Sequence, residues 1–252
     1  MFKTVLVADS GVGAARVRRT LERLGIAMSC APQATAEDAD GDAITVLAAA
    51  AGADVVHPGY GARARDAHLG RALARCGIAF AGARADDIET FSDPGRARSL
   101  AHAADLPLLA RSRPLGDLAN ILAVAAAIGY PVALFCETSA WERRCAHPEA
   151  VRAAWEEWRR SPAPGLGMLC VERRLAHARC LEVPVWGDGR GAVRALGVHD
   201  VSLRRDGRAL LEEAPAGGLA AGECRQLMEG AVRLARHVRY MHICKLSVPR
   251  FL

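Results

Sequence analysis

The sequence predicts an α/β protein: an N-terminal doubly wound parallel sheet, then a more β-rich α+β portion. Three observations predict it. Up to about residue 91, short apolar runs alternate with stretches of helical spacing, the order that gives parallel strands with helices on both faces. Gly25, Pro58-Gly59 and Gly77 stand where those runs end, as chain punctuation should. After residue 168 the helical spacing gives way to apolar runs joined by Asp188-Gly189, a hairpin signal.

Residues 4–8 form a short apolar β-run, and Asp9 to Gly13 a turn. Residues 14–24 have helical spacing through Ala15, Val17, Leu21 and Leu24, with Gly25 as the stop. Residues 26–30 make a second strand, 42–51 a helix and 54–57 a strand ended by Pro58. Residues 67–76 make a helix closed by Gly77, and 78–82 a fourth strand. Ligand sites in such sheets gather at the carboxyl ends of strands, where the turns at 9–13 and 57–61 fall. Residues 84–91 and 94–104 read as helices; Asp93 is the candidate N-cap and Pro94 occupies the first helical position. A helix at 115–128 stops at Gly129, and 131–136 is a strand. Residues 148–160 are an amphipathic helix carrying Val151, Trp155 and Trp158, followed by a loop at 161–165. Strands are expected at 168–172, 180–186, 192–200 and 209–213, then a helix at 220–238 and a last extended segment at 241–248.

Composition narrows the function. The 252 residues can bury a sizeable core. No apolar run reaches the roughly 20 residues of a membrane span, and the N-terminus enters a strand pattern directly. A soluble cytoplasmic protein with no membrane partner is expected. The eight cysteines are scattered without a C-x-x-C pair, against a zinc site or disulfide framework. The net charge is +5, but the arginine clusters lack interleaved aromatics, so no nucleic-acid partner is expected.

Three blocks, in order, carry a resemblance: His57-Pro58-Gly59-Tyr60-Gly61, Ile128-Gly129-Tyr130-Pro131-Val132 and Glu212-Glu213-Ala214-Pro215. Together they resemble biotin carboxylase, an ATP-dependent enzyme of the ATP-grasp superfamily, from Val5 to about Val248. The resemblance implies a pre-ATP-grasp α/β domain over residues 1–91, as in carbamoyl-phosphate synthase. It implies a helical connection over 92–128 and a truncated, reduced ATP-grasp-like α+β portion over 129–252, lacking the carboxyl-terminal lobe. The family's opening Asn-Arg-Gly-Glu-Ile-Ala is here Asp9-Ser10-Gly11-Val12-Gly13-Ala14. His57, Pro58, Gly59, Tyr60 and Gly61 read as a structural turn, and Glu212 and Glu213 as register marks for the motif that follows the catalytic stretch.

The same resemblance marks what is missing. The chain has two lysines, Lys3 and Lys245. The family's Gly-Asp-Lys is here Ser92-Asp93-Pro94, and its second phosphate lysine is Phe135. The glycine-rich flap is replaced by residues 136–144, which hold no glycine but include Glu137 and Glu142; backbone amides cradle phosphate only where side chains let it approach. Of the bicarbonate-handling Gln-Arg-Arg-His-Gln-Lys, only Arg205 matches in Arg204-Arg205-Asp206-Gly207-Arg208-Ala209. The first magnesium glutamate aligns near Ser247, and the second would lie beyond Leu252. An adenine hinge survives in outline as Glu172, Arg173 and Leu175, with Glu182 at the ribose acid.

Phosphoryl transfer needs metal carboxylates, phosphate cations and a base together. The expectation is therefore a catalytically inactive protein, with no catalytic residue, metal or required cofactor. Residual ATP or ADP binding at Glu172, Arg173, Leu175 and Glu182 is left open. It would act through a protein partner, such as a carboxylase subunit or biotin carrier protein, or through a second copy of itself. The alternatives are an ATP-dependent ligase of altered substrate, a nucleotide-binding sensor, or the product of a gene losing its function.

Overall fold

The structure is a computed structural model that describes residues 2–31, 41–137, 139, 141–160, 168–175, 178–205 and 208–251. The expected loop at 161–165 lies outside the described residues. The chain packs as two compact units. One gathers residues 1–104, 182–199 and 214–247; the other gathers 105–181, 200–213 and 248–252.

The first unit is built on four parallel strands: β1 (Thr4–Val7), β2 (Ala27–Cys30), β3 (Val55–His57) and β4 (Ala79–Phe80), in the order β2-β1-β3-β4. Side chains alternate across a strand, and this sheet uses both sides. Leu6, Ala8 and Val56 pack with Ile44 and Ala48 of α2 (Gly41–Ala50) and Leu69 and Leu73 of α3 (Ala67–Arg75). Val5, Val7 and Val55 pack with Ala14, Val17 and Leu21 of α1 (Gly11–Leu24). Leu6, Ile44, Leu69 and Leu73 are essentially fully buried, each contributing about 1.5–3 kcal/mol. Helices on both faces of a parallel sheet are what the alternating pattern predicts. Gly25 ends α1 in the left-handed conformation, its amide returning to Glu22 O and Leu21 O, a helix end that favours a residue without Cβ.

Helix α4 (Ala85–Ser92) follows, and α5 (Pro94–Ala103) starts where the sequence places it. The Asp93 carboxylate accepts from the amides of Gly95 and Arg96 at 2.8 and 3.0 Å. Further along the chain, α8 (Ala221–His237) adds Ala231, Leu234 and Ala235 to the buried set of this unit. Arg84 donates to the carbonyls of Val238 and Arg239 just past the end of α8.

The second unit holds three antiparallel strands, β5 (Val132–Cys136), β6 (Glu142–Cys145) and β7 (Leu169–Arg173), in the order β6-β5-β7. One face packs Val132, Leu134, Cys136, Leu169 and Val171 against Ile121 and Ala125 of α6 (Leu118–Ile128) and Val151, Ala154 and Trp158 of α7 (Pro148–Arg160). Residues 110–115 run along the free side of β7. Ser112 N donates to Val171 O at 2.8 Å, and Leu115 and Leu169 exchange both backbone bonds at 2.9 Å.

Several sequence expectations are corrected. Leu115 is not helical, because its backbone is committed to Leu169; α6 starts at Leu118, capped by Asp117 accepting from Asn120 N. The stretch that stands in place of the family's flap, for which no strand is expected, leads into β6. The expected strand at 192–200 is two pieces, β9 (Val193–Ala195) and β10 (His199–Asp200). The strand at 209–213 reduces to β12 (Arg208–Ala209), paired with β11 (Arg204–Arg205), plus a Glu213–Asp200 bridge. The last strand, β13, is longer than expected and spans Met241–Phe251. The Asp188-Gly189 hairpin forms between β8 (Ala178–Asp188) and β9, with the Asp188 carboxylate accepting from the amides of Arg190 and Ala192. None of the described helices is long and apolar enough to cross a membrane.

Candidate functional site

The sheet of the second unit has a second face. By alternation, the residues between those of the apolar core point to it: Ala133 and Phe135 on β5, Cys170 and Glu172 on β7, Glu142 and Arg144 on β6. Phe135, where the resemblance implies the second phosphate lysine, is covered by Arg111, whose guanidinium lies over the ring at 4.5 Å from its centroid. Stacking of this kind suits the planar, weakly hydrated arginine head. Arg111 is brought there by its backbone bridge to Glu172. Only 8% of its side chain is exposed, and it pairs with Glu137, which is 38% exposed. Burial pushes the Cys170 thiol up, with the Arg111 contact opposing.

Charge on this face is balanced internally. Arg111, Arg144 and Arg174 stand against Glu137, Glu142 and Glu172, and Arg174 pairs with Glu142. The Arg174 Nε is buried with no hydrogen-bond partner among the described residues.

The predicted hinge residues have structural employment. Arg173 closes β7, its amide donating to Ala110 O at 2.8 Å and its guanidinium to Ile128 O at the end of α6 at 2.6 Å. Glu172 is half-buried beside Ala133 and bridged to Arg111. Leu175 is half-buried just past the strand. Glu172, Arg173 and Leu175 belong to the second unit, whereas Glu182 belongs to the first and lies 3.6 Å from Lys245.

The first motif forms a turn at the carboxyl end of β3. Gly59 N donates to His57 Nδ1 at 3.0 Å, and Tyr60 N to Asp9 Oδ2 at 3.3 Å. Gly59 has φ +77°, and a Cβ there would meet Asp9 Oδ2 at 2.2 Å, so only glycine serves. His57 meets the Tyr60 ring edge-on at 5.9 Å. Burial, then His242, holds the His57 imidazole below its ordinary value, with Asp9 opposing. Pro58 is buried and Gly61 exposed. Glu213 exchanges both backbone bonds with Asp200 at 2.9 Å, while Glu212 is exposed beside it. Asp200 in turn is held by Arg179 at 2.7 Å.

The residues present do not fit a metal–nucleotide complex. Phosphate needs uncommitted cations or open backbone amides; at the two positions where the resemblance implies lysines stand Pro94 and Phe135, and Phe135 is covered by the Arg111–Glu137 pair. Among the described residues no three His, Cys, Asp or Glu side chains are grouped to hold a metal ion. Sequence reasoning missed Arg111: only strand pairing with β7 brings it to Phe135.

Comparison with known proteins agrees with this architecture. Residues 30–88 match the family "Biotin carboxylase, N-terminal domain", and residues 93–248 match "Carbamoyl-phosphate synthase L chain, ATP binding domain". Biotin carboxylase of Pseudomonas aeruginosa is 31% identical over 248 residues, covering 87% of this chain and 55% of that protein. The 2-oxoglutarate carboxylase small subunit of Hydrogenobacter thermophilus is 31% identical over 243 residues, covering 86% of this chain and 52% of that protein. A crystal structure of the latter organism's biotin carboxylase domain dimer, in complex with MgADP, ADP and bicarbonate, superposes with TM-score 0.83 at 28% identity, over 99% of this chain and 61% of the other. The chain thus spans about half to three fifths of the length of these relatives. On the match of its ATP-binding portion, of its N-terminal domain and of its fold, the chain belongs to the biotin carboxylase family of ATP-grasp proteins.

Proposed function

We propose that this protein is a catalytically inactive member of its family that works as a structural or regulatory partner in an acyl-CoA-carboxylase-type complex, or by self-association. The single observation that carries the inactive reading is the Phe135–Arg111–Glu137 cluster, which puts a satisfied ion pair where phosphate needs an unpaired cation. The partner reading draws on the surroundings of the antiparallel β11–β12 pair. Leu203, Leu210 and Leu211 there are 58%, 60% and 61% exposed beside Arg204 and Arg205. Grouped exposed leucines mark interaction surfaces. Relatives described as a carboxylase small subunit and as a domain dimer support a carboxylase subunit or a second copy as the partner, with a biotin carrier protein as a further candidate.

A second reading, a nucleotide sensor, is favoured by the unpartnered Arg174 Nε beside the retained hinge. Calorimetric titration with ATP and magnesium separates the two. No heat of binding up to millimolar ATP is the expected result, and micromolar binding would sink the inactive reading. In sedimentation and co-purification with carboxylase subunits, Leu210→Asp with Leu211→Asp is expected to abolish a complex that the unaltered chain forms.

A further inference from the structure

Helix α1 buries one side and leaves the other uncovered. Ala14, Val17 and Leu21 pack against the parallel sheet. At 3.6 residues per turn the positions opposite them are 12, 16, 19 and 23. These are Val12, Arg16, Arg19 and Arg23, all exposed. The three arginines follow one another at i+3 and i+4, so they are neighbours along about 10 Å of helix. None of the three takes an ion pair or a side-chain hydrogen bond among the described residues. Glu22, the single acid of α1, stands on the flank with Arg18. Exposed arginines on other helices are answered locally: Arg71 by Asp86 and Glu89, Arg96 by Asp93, and Arg160 by Glu156. Like charges at these spacings cost helix stability, and on α1 nothing within the chain offsets that cost.

We propose that this face of α1 is a docking surface for a carboxylate-rich segment of a partner protein. An arginine fork pairs with a carboxylate through two parallel bonds, and arginine is enriched among the residues that carry binding energy at interfaces. Three forks in one line suit acidic side chains presented at a matching spacing. A second copy is the wrong occupant, because a two-fold contact sets a patch against itself, here arginine against arginine. The face carries no aromatic on which a base could stack. The inference deepens the partner reading and rests on it, and it places a second surface apart from the leucines around β11–β12.

The test titrates the whole chain at low salt, where exposed charges are least screened. The probes are poly-L-glutamate, double-stranded DNA and phosphatidylserine vesicles. Three proteins are compared: the unaltered chain, a variant with Arg16→Glu, Arg19→Glu and Arg23→Glu, and a control with Arg190→Glu, Arg194→Glu and Arg225→Glu. The control makes the same charge change at three exposed arginines of other elements. Poly-L-glutamate is expected to bind the α1 variant about tenfold or more weaker than the unaltered chain, and the control less than about threefold weaker. Should the α1 variant misfold, glutamine at the same three positions serves instead, with the same direction of change. Arg19→Glu alone exchanges two repulsions, with Arg16 and Arg23, for two attractions, so it should raise the thermal midpoint of the free chain by about 2–4 °C. Equal losses in variant and control overturn the surface, since net charge alone would then attract the probe. No binding of poly-L-glutamate by the unaltered chain, tighter binding of DNA or vesicles through α1, or a midpoint that Arg19→Glu leaves level or lowers, overturns it too. Absence of any complex with carboxylase subunits, in contrast, overturns the partner reading whatever α1 does.

Discussion

Arg111 serves two roles that substitution can separate. Its stem and guanidinium cover Phe135, and its charge neutralises Glu137. Arg111→Ala removes both and is expected to destabilise the protein by about 1–3 kcal/mol in urea unfolding. That is less than for a fully buried pair, because the abandoned Glu137 keeps contact with water. Arg111→Met keeps an unbranched stem over the ring, so its loss should be clearly smaller. Equal losses would mean that the ion pair alone matters. Restoring the family residue by Phe135→Lys is not expected to restore ATP turnover: the new ammonium would face Arg111 at close range and repel it. Phe135 could be read from the sequence as a lost lysine. Arg111 could not, since residues 105–117 carry no strand periodicity of their own and join the sheet only by pairing with β7.

At the level of elements, helix starts were legible because their chemistry is local. Asp93-Pro94 predicts both a cap and a first helical residue, and the carboxylate accepts two amides of α5. These amides hold the Asp93 carboxyl below its ordinary value, that of Arg96 foremost. Asp93→Ala should lower the thermal midpoint by about 2–4 °C, and Asp93→Asn by less. Strand β6 was not legible. Glu142, Arg143 and Arg144 look like a solvated charge run, but each is answered from elsewhere: Glu142 by Arg174, Arg143 by Glu157 of α7 at 2.9 Å, and the backbone of all three by β5. An edge strand of charged residues resists pairing with strangers, and its signal is tertiary. The 192–200 run failed for the opposite reason. Its apolar residues run on past Ala195, but after one last bond from Leu196 N to Pro184 O the chain turns at Gly197, φ +122°, and leaves β8.

For the whole molecule, acid response follows from where carboxylates are held. Asp54, Asp93, Asp117 and Asp188 all sit below their ordinary value, chiefly through backbone amides. A depressed carboxyl stabilises the fold above its unfolded value, near 3.9, and that stability is lost as pH falls through the folded one. His57 adds an earlier step. Its folded value is also depressed, so the unfolded chain binds the proton first, and stability declines once pH drops below about 6.5. The thermal midpoint should therefore fall in two stages, a shallow one from about pH 6.5 and a steeper one below about pH 4. His57→Asn, which can still accept from Gly59 N, should remove the first stage alone. A midpoint that stays level down to pH 5 in the unaltered chain would contradict the His57 argument.

The contact of Arg84 with the carbonyls of Val238 and Arg239 joins residues 154 and 155 positions apart. It belongs to a unit assembled from three separated stretches of chain, the last ending at residue 247. The order in which the units can be completed therefore opposes the order of synthesis. Most of the second unit comes from one continuous stretch, residues 105–181, so the β6-β5-β7 sheet with α6 and α7 can close while the ribosome is still making the rest. The parallel sheet is translated first, yet its unit stays incomplete until α8 emerges, leaving apolar strand faces waiting on the slowest contacts to form. A nascent chain halted near residue 200 should thus resist protease in its middle before it does at its beginning.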